Sequence, residues 1–188
     1  EMKKNKQVYI YTCKRFKIRE TLEKDTKIWY RWFNDPKITN FFVNESVPNT
    51  IEAQKKYRLE NIDGKSRVIF SVIAGNSDKL MGIVSINFIK PTNSRRCEIS
   101  VVIGEPELCM GNTYIEINKW LINSSFDNFG MNSIISSFFS NNEVVKKTIE
   151  FLGFKKIGLN RERFFKFGKF QDSLHYDLLN SDWIKLNR

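Results

Sequence analysis

The apolar positions change period several times along the chain, and each change marks an element. Residues 1–20 alternate weakly around Val8, Ile10, Phe16 and Ile18, which predicts an edge strand behind a basic start. Ile28, Trp29, Trp32 and Phe33 then recur at helical spacing. Asn34-Asp35-Pro36 ends that helix, because the residue before a proline is driven out of the helical region and proline has no N–H to give. A second short helix is predicted from Thr50, with Asn49 or Thr50 as its cap and Glu52 in its first turn.

From Arg67 the period drops to two. Val68, Phe70, Val72 and Ala74 share a face, Gly75-Asn76-Ser77-Asp78 makes a turn, and Leu80 to Phe88 is the partner strand of a hairpin. The polar loop from Lys90 to Arg95 leads into Cys97 to Ile103, a β-branched run of strand length that Gly104-Glu105-Pro106-Glu107 breaks. Thr113 to Phe126, carrying Ile117, Trp120, Leu121 and Ile122, reads as an amphipathic helix. Ser133 to Phe139 is a strand, Glu143 to Leu152 a helix stopped by Gly153, and the last two strands lie around Lys155 to Ile157 and from Phe164 to Leu179. That is about seven strands and four helices with no linker or repeat. The expectation is a single mixed α/β domain over residues 1–188, with residues 1–6 frayed or tag-derived.

Composition narrows the function classes. No window approaches 18 uninterrupted apolar residues and no apolar segment follows the polar start, so a membrane span and a secretion signal are not expected. Cys13, Cys97 and Cys109 are odd in number and far apart, which argues against a disulfide framework or a zinc site and for a reducing cytoplasm. His175 is the one histidine, so a multi-histidine metal site is excluded and no metal is expected. The formal charge of +10 favours an anionic partner or a plain lysine-rich solvated surface. The anionic partners this allows are nucleic acid, an anionic lipid surface or a phosphate-bearing small molecule, and the dispersed basic residues with no RNA or DNA motif weigh against the first.

Asn141-Asn142-Glu143-Val144-Val145, followed by Phe151-Leu152-Gly153-Phe154, resembles the GNAT superfamily of acyl-CoA-dependent N-acetyltransferases, which commonly shows an Asn eleven residues before a Gly-Phe pair. Trp32-Phe33-Asn34-Asp35-Pro36-Lys37-Ile38 is similar to a segment of the branch that includes ribosomal-protein and nucleotide-amino-sugar acetyltransferases. Glu98 to Gly104 is similar to that branch's fourth strand. Gly168-Lys169-Phe170-Gln171-Asp172, with Tyr176, Leu178, Leu179 and Trp183, resembles its closing pattern. The matches run in order from about residue 15 to residue 183.

The family's phosphate loop, Gln/Arg-x-x-Gly-x-Gly/Ala, precedes the third helix. Counting back from Phe126 places it at Cys109-Met110-Gly111-Asn112-Thr113-Tyr114. Cys109 stands where the basic or amide residue belongs, and Asn112 and Tyr114 replace the two small residues. Pyrophosphate is held by backbone N–H groups at a helix N-terminus, so these side chains do not abolish the donors, although Tyr114 crowds the approach.

The resemblance implies acetyl-CoA as co-substrate, a GNAT fold with a central twisted mixed sheet, and a monomer or homodimer. It assigns coenzyme contacts to Val101, Val102 and Ile103 on a strand splayed from its neighbour, to the loop residues, and to Asn142. Asn142 is equally a helix N-cap. Glu98 becomes the general-base candidate, against the alternative of an ion pair with Arg95, Arg96 or a strand neighbour. The Tyr that many relatives place four residues before the Gly-Phe pair is Ile149 here, leaving Tyr114, Ser140 or solvent as proton donor. Trp32, Asn34 and Phe42 fall on the acceptor-site wall by resemblance. By residue type alone, Trp29, Trp32, Phe41 and Phe42 read as core. His175 lies on the face opposite Leu174 and Tyr176 and reads as structural or surface. The acceptor expected is a small-molecule amine, most of all a nucleotide-linked amino sugar, which would bring phosphates to a cationic protein. The alternatives are a protein N-terminal amine, or a GNAT-fold scaffold that has lost catalysis.

Overall fold

The first strands of the described residues form a short hairpin after Val8 and Ile10, where the expected strand ran through both. The computed structural model describes residues 7–42, 49–61 and 64–187; residues 1–6, expected to be frayed or tag-derived, lie outside them. β1 (Tyr11–Thr12) and β2 (Phe16–Glu20) pair antiparallel, while Val8 and Ile10 stay 76% and 57% exposed because no sheet face covers them. α1 (Asp25–Phe33) ends before Asn34 as expected. Pro36 then begins a further helix, α2 (Pro36–Thr39), in which Asp35 caps the Lys37 N–H and the proline takes the first position. In α3 (Ile51–Glu60) the Thr50 hydroxyl accepts from the Ala53 N–H.

Among the described residues the sheet has eight strands, where about seven were expected. β3 (Arg67–Ala74), β4 (Leu80–Ile89) and β5 (Arg96–Ile103) extend the opening hairpin as an antiparallel meander. α4 (Thr113–Asn123), prolonged by one π turn over Ser124–Asn128, returns the chain over one face, so β6 (Ser133–Phe139) lies parallel to β5. α5 (Glu143–Phe151) leads to β7 (Lys155–Lys166) and β8 (Lys169–Leu179), and α6 (Asn180–Leu186) closes the described chain. The expected strand from Phe164 is cut at Phe167 and Gly168, both at positive φ, which form the tip of the β7–β8 hairpin. The spatial order is β1-β2-β3-β4-β5-β6-β8-β7.

Both faces of the sheet are covered, so three layers result. On one face Ile117, Leu121, Ile122 and Phe126 of the α4 region, Ile149 and Leu152 of α5 and Trp183 of α6 pack on Val72, Val84, Cys97, Ile134, Phe138 and Leu178. On the other, Trp29 and Trp32 of α1 pack on Ile69, Ile73, Leu80 and Ile83, with Tyr57 of α3 and Val102 of β5 alongside. Burying side chains of this size is worth about 1.5–3 kcal/mol each. A buried ion pair ties α1 down: Arg19 makes two bonds to Asp25, at 2.7 and 2.9 Å, and Asp25 also accepts from Ser71 Oγ and the Leu22 N–H. Burial opposes ionisation of Asp25, but those donors outweigh it and hold its pKa below the ordinary value.

Candidate active site

The gap in the sheet lies between β5 and β6. Their parallel register covers only Arg96 with Ser133, Cys97 with Ile134 and Glu98 with Ile135, and stops there. Beyond it β5 remains paired with β4 as far as Ile103, while β6 remains paired with β8 as far as Phe139. The two strands therefore part at their C-terminal ends, from which α4 and α5 depart.

Backbone alternation decides what the gap offers. Gly104 N–H donates to the Met81 carbonyl, which gives Val102, Ser100 and Glu98 the groups that point to β4. Val101 and Ile103 therefore turn their N–H and C=O groups toward the gap, with no β6 residue opposite. Of the three residues expected there, Val102 instead faces Ile83 with its backbone and packs its side chain beside the tryptophan cluster.

The side chains of β5 alternate too. Cys97, Ile99, Val101 and Ile103 face the α4 layer, and burial lifts the Cys97 thiol pKa to about 11, so it stays a neutral core group. Glu98 points to the opposite face, where Ser137 Oγ of β6 donates to its carboxylate at 3.0 Å. Directly across from Ser137 on β8 stands His175. Arg163 Nη1 lies 2.8 Å and Ser173 Oγ 3.1 Å from His175 Nε2. Arginine has only donors, so Nε2 accepts and the ring carries its proton on Nδ1. Burial, then the neighbouring Arg163, lower the His175 pKa, with Glu98 opposing. Glu98, Ser137, His175, Ser173 and Arg163 thus form one polar row across three strands and onto β7. Of this row the sequence singled out Glu98 as a base, with an ion pair to Arg95, Arg96 or a strand neighbour as its alternative, and read His175 as structural or surface; the structure gives Glu98 a hydrogen bond from Ser137.

At the start of α4, Gly111 takes φ +59° and Asn112 is the N-cap without a side-chain bond. Thr113 donates through both N–H and Oγ1 to the Met110 carbonyl, and Glu116 N–H reaches the Asn112 carbonyl. The Tyr114 and Ile115 amides are first-turn donors without an intrahelical partner. Met110 and Asn112 are exposed, Thr113 is buried, and burial keeps the Tyr114 phenol protonated by raising its pKa. Cys109 packs at the edge of the core, its pKa also raised by burial. Asn142 is buried and caps α5, its side chain accepting from the Val145 N–H at 3.3 Å. Gly153 takes φ +88° behind the same helix.

The α1 region meets the end of β5 around Gly104 and Glu105. Trp32 is buried and donates from Nε1 to Glu105 Oε1 at 2.9 Å, and Glu105 also pairs with Arg31. A Cβ on Gly104 would lie 2.0 Å from the Trp32 ring, so glycine there lets the end of β5 meet α1. Asn34 Nδ2 donates to the Tyr30 and Asn49 carbonyls. The Phe42 ring packs on Phe33, and its carbonyl accepts from Lys166 Nζ, whose pKa burial lowers.

A sheet parted beside a parallel strand pair, with free backbone groups in the gap and bare amides at the following helix, is the arrangement that the resemblance to the GNAT superfamily implies. The GNAT acetyltransferase domain model matches residues 18–175, and the chain belongs to that family. An uncharacterized N-acetyltransferase p20 of Bacillus licheniformis is 24% identical over 177 residues, 93% of this chain and 97% of that one. The spermidine N-acetyltransferase of Vibrio cholerae, solved with CoA and spermine, superposes with a TM-score of 0.81 at 19% identity, covering 90% of this chain and 98% of its own. The ribosomal-protein-S5-alanine acetyltransferase of Vibrio fischeri gives 0.78 at 18%, covering 92% and 97%. The chain is an acyl-CoA-dependent N-acetyltransferase, and the parted strands and free helix amides fit acetyl-CoA.

Proposed function

We propose that this enzyme acetylates the primary amine of a small molecule that also carries an anionic group, of the nucleotide-linked amino-sugar kind. The observation that carries this reading is the polar row, which sets a carboxylate, Glu98, and a guanidinium, Arg163, on the same face of the sheet with His175 between them. Glu98 takes the proton from the incoming ammonium, because only the neutral amine has a lone pair to offer. Its hydrogen bond from Ser137 keeps the carboxylate aimed. Acetyl-CoA would supply an acyl carbon activated by its thioester; as the amine nitrogen bonds to that carbon the C–S bond would break, and the departing thiolate would take its proton from solvent. The N–H groups of Val101 and Ile103 face the gap in which the acyl oxygen would lie, and there they stabilise its developing charge. Arg163, exposed and held by His175, meets the anionic part of the acceptor.

A polyamine asks for the opposite lining, several carboxylates and no guanidinium. Incubating the purified chain with acetyl-CoA and a panel of amino-sugar nucleotides, spermidine and peptides with free N-termini separates the readings by release of free thiol. Turnover with the amino-sugar nucleotides is expected. Turnover confined to spermidine or to the peptides rejects the anionic acceptor.

A further inference from the structure

We propose that Arg15, from the tight turn between β1 and β2, supplies the cationic contact to the coenzyme's pyrophosphate that the loop from Cys109 to Tyr114 lacks. In that loop no residue carries positive charge. The guanidinium nevertheless reaches it from about a hundred residues away in the chain. Arg15 Nη1 lies 3.1 Å from where a Cβ on Gly111 would stand, so the space that a side chain at position 111 would enter is bordered by Arg15. Arg15 Nε pairs at 3.0 Å with Glu116 in the first turn of α4, while Nη1 lies on the side of Gly111.

The turn that presents Arg15 is pinned from two sides. Cys13 N–H donates to the Phe16 carbonyl at 2.9 Å, and Gly75 N–H donates to the Arg15 carbonyl at 2.9 Å. A Cβ on Gly75 would come within 2.2 Å of the Lys14 carbonyl, so the β3–β4 turn sits directly against the backbone of this one. Backbone packing therefore fixes the turn, and the Glu116 pair sets the guanidinium at the first turn of α4, beside Gly111. Glu116 explains why such a cation is needed. A carboxylate in the first turn offsets the helix dipole that would otherwise favour a phosphate, and Arg15 neutralises it while offering its own fork.

The test measures binding, not turnover. Titration calorimetry of CoA is run on the wild type, Arg15→Gln, Glu116→Gln and the double variant, with Lys14→Gln as a control of equal charge change. Pantetheine, which has the arm without any phosphate, is followed by NMR chemical shift. Arg15→Gln is expected to weaken CoA about tenfold and to flatten the salt dependence of its Kd, with pantetheine unchanged. Lys14→Gln is expected to cost less than threefold. The weakening by Arg15→Gln persists in the Glu116→Gln background if the guanidinium touches phosphate. If it vanishes there, Arg15 only screens Glu116 and the proposal is overturned. Equal losses for CoA and pantetheine, or no loss, or no CoA binding by the wild type, also overturn it. These readouts involve no acceptor, so failure of the amino-sugar reading leaves them intact.

Discussion

The two faces of the sheet around β5, β6 and β8 are built from the same three strands and differ in almost everything else. The face toward α4 and α5 carries Cys97, Ile134, Phe138, Leu174, Tyr176 and Leu178, closed over by Ile149 and Leu152. The face toward α1 carries Glu98 bonded to Ser137 and, across the β6–β8 register, His175 bonded to Ser173. A period of two lets each strand serve both purposes at once. The apolar face holds the strands where they are, and the polar face uses those positions for chemistry. Mutations on the two faces should therefore separate stability from turnover.

The largest stability effect falls on the apolar face. Ile149→Ala empties a buried site under α5 and is expected to cost about 2–5 kcal/mol in chemical denaturation, with CoA affinity of the folded fraction unchanged. A loss below about 1 kcal/mol would show that α5 is not what clamps this face.

Glu98→Gln on the polar face should do the reverse. It keeps the side chain's size, so the midpoint of unfolding should move little, while turnover near neutral pH falls on the order of 10²-fold or more. The deficit shrinks at high pH, where the acceptor amine loses its proton unaided. A variant with normal turnover and a lowered melting point would make Glu98 a structural residue, and a loss equal at every pH would point to displaced geometry.

Ser137→Ala removes the hydrogen bond that aims Glu98 without removing the base. A several-fold drop in kcat and a stability change near 1 kcal/mol are expected, read by steady-state kinetics and urea titration. If turnover is untouched, Glu98 needs no support from β6.

The smallest effect is the titration of His175. Its pKa is lowered, so the folded state binds the proton less readily than the unfolded one. This contribution to stability is present above the unfolded value of about 6.5 and is lost as pH falls through the folded value. NMR titration should place the ring below 6.5, and Arg163→Gln should raise it. A ring titrating above 6.5 would mean that Glu98 outweighs Arg163, which breaks the order of charges along the row.

What the sequence determined by itself was local. Periodicity marked the main strands and helices because side-chain spacing along one segment is enough to choose between a period of two and one of 3.6. The caps were legible as short choices for the same reason, since each acts on an N–H three residues on: Asn49 or Thr50 for α3, which the structure resolves to Thr50, and Asn142 as a cap or a coenzyme contact for α5, where it caps. The family was legible in short motifs spread in order over the chain, and Glu98 stood out as one carboxylate in an apolar run. Signals with two local meanings misled. Pro36 marked the end of α1 but equally suits the first position of α2, and Gly168 was read within a strand although it turns the β7–β8 hairpin. Contacts between segments were decided by tertiary structure alone. Strand register brings Ser137 to Glu98 and His175 opposite Ser137, the β7–β8 pairing brings Arg163 to His175, and turn-on-turn packing at Gly75 presents Arg15 to Gly111. None of these leaves a pattern in its own segment, because the energy that selects each one comes from burying residues far away in the chain.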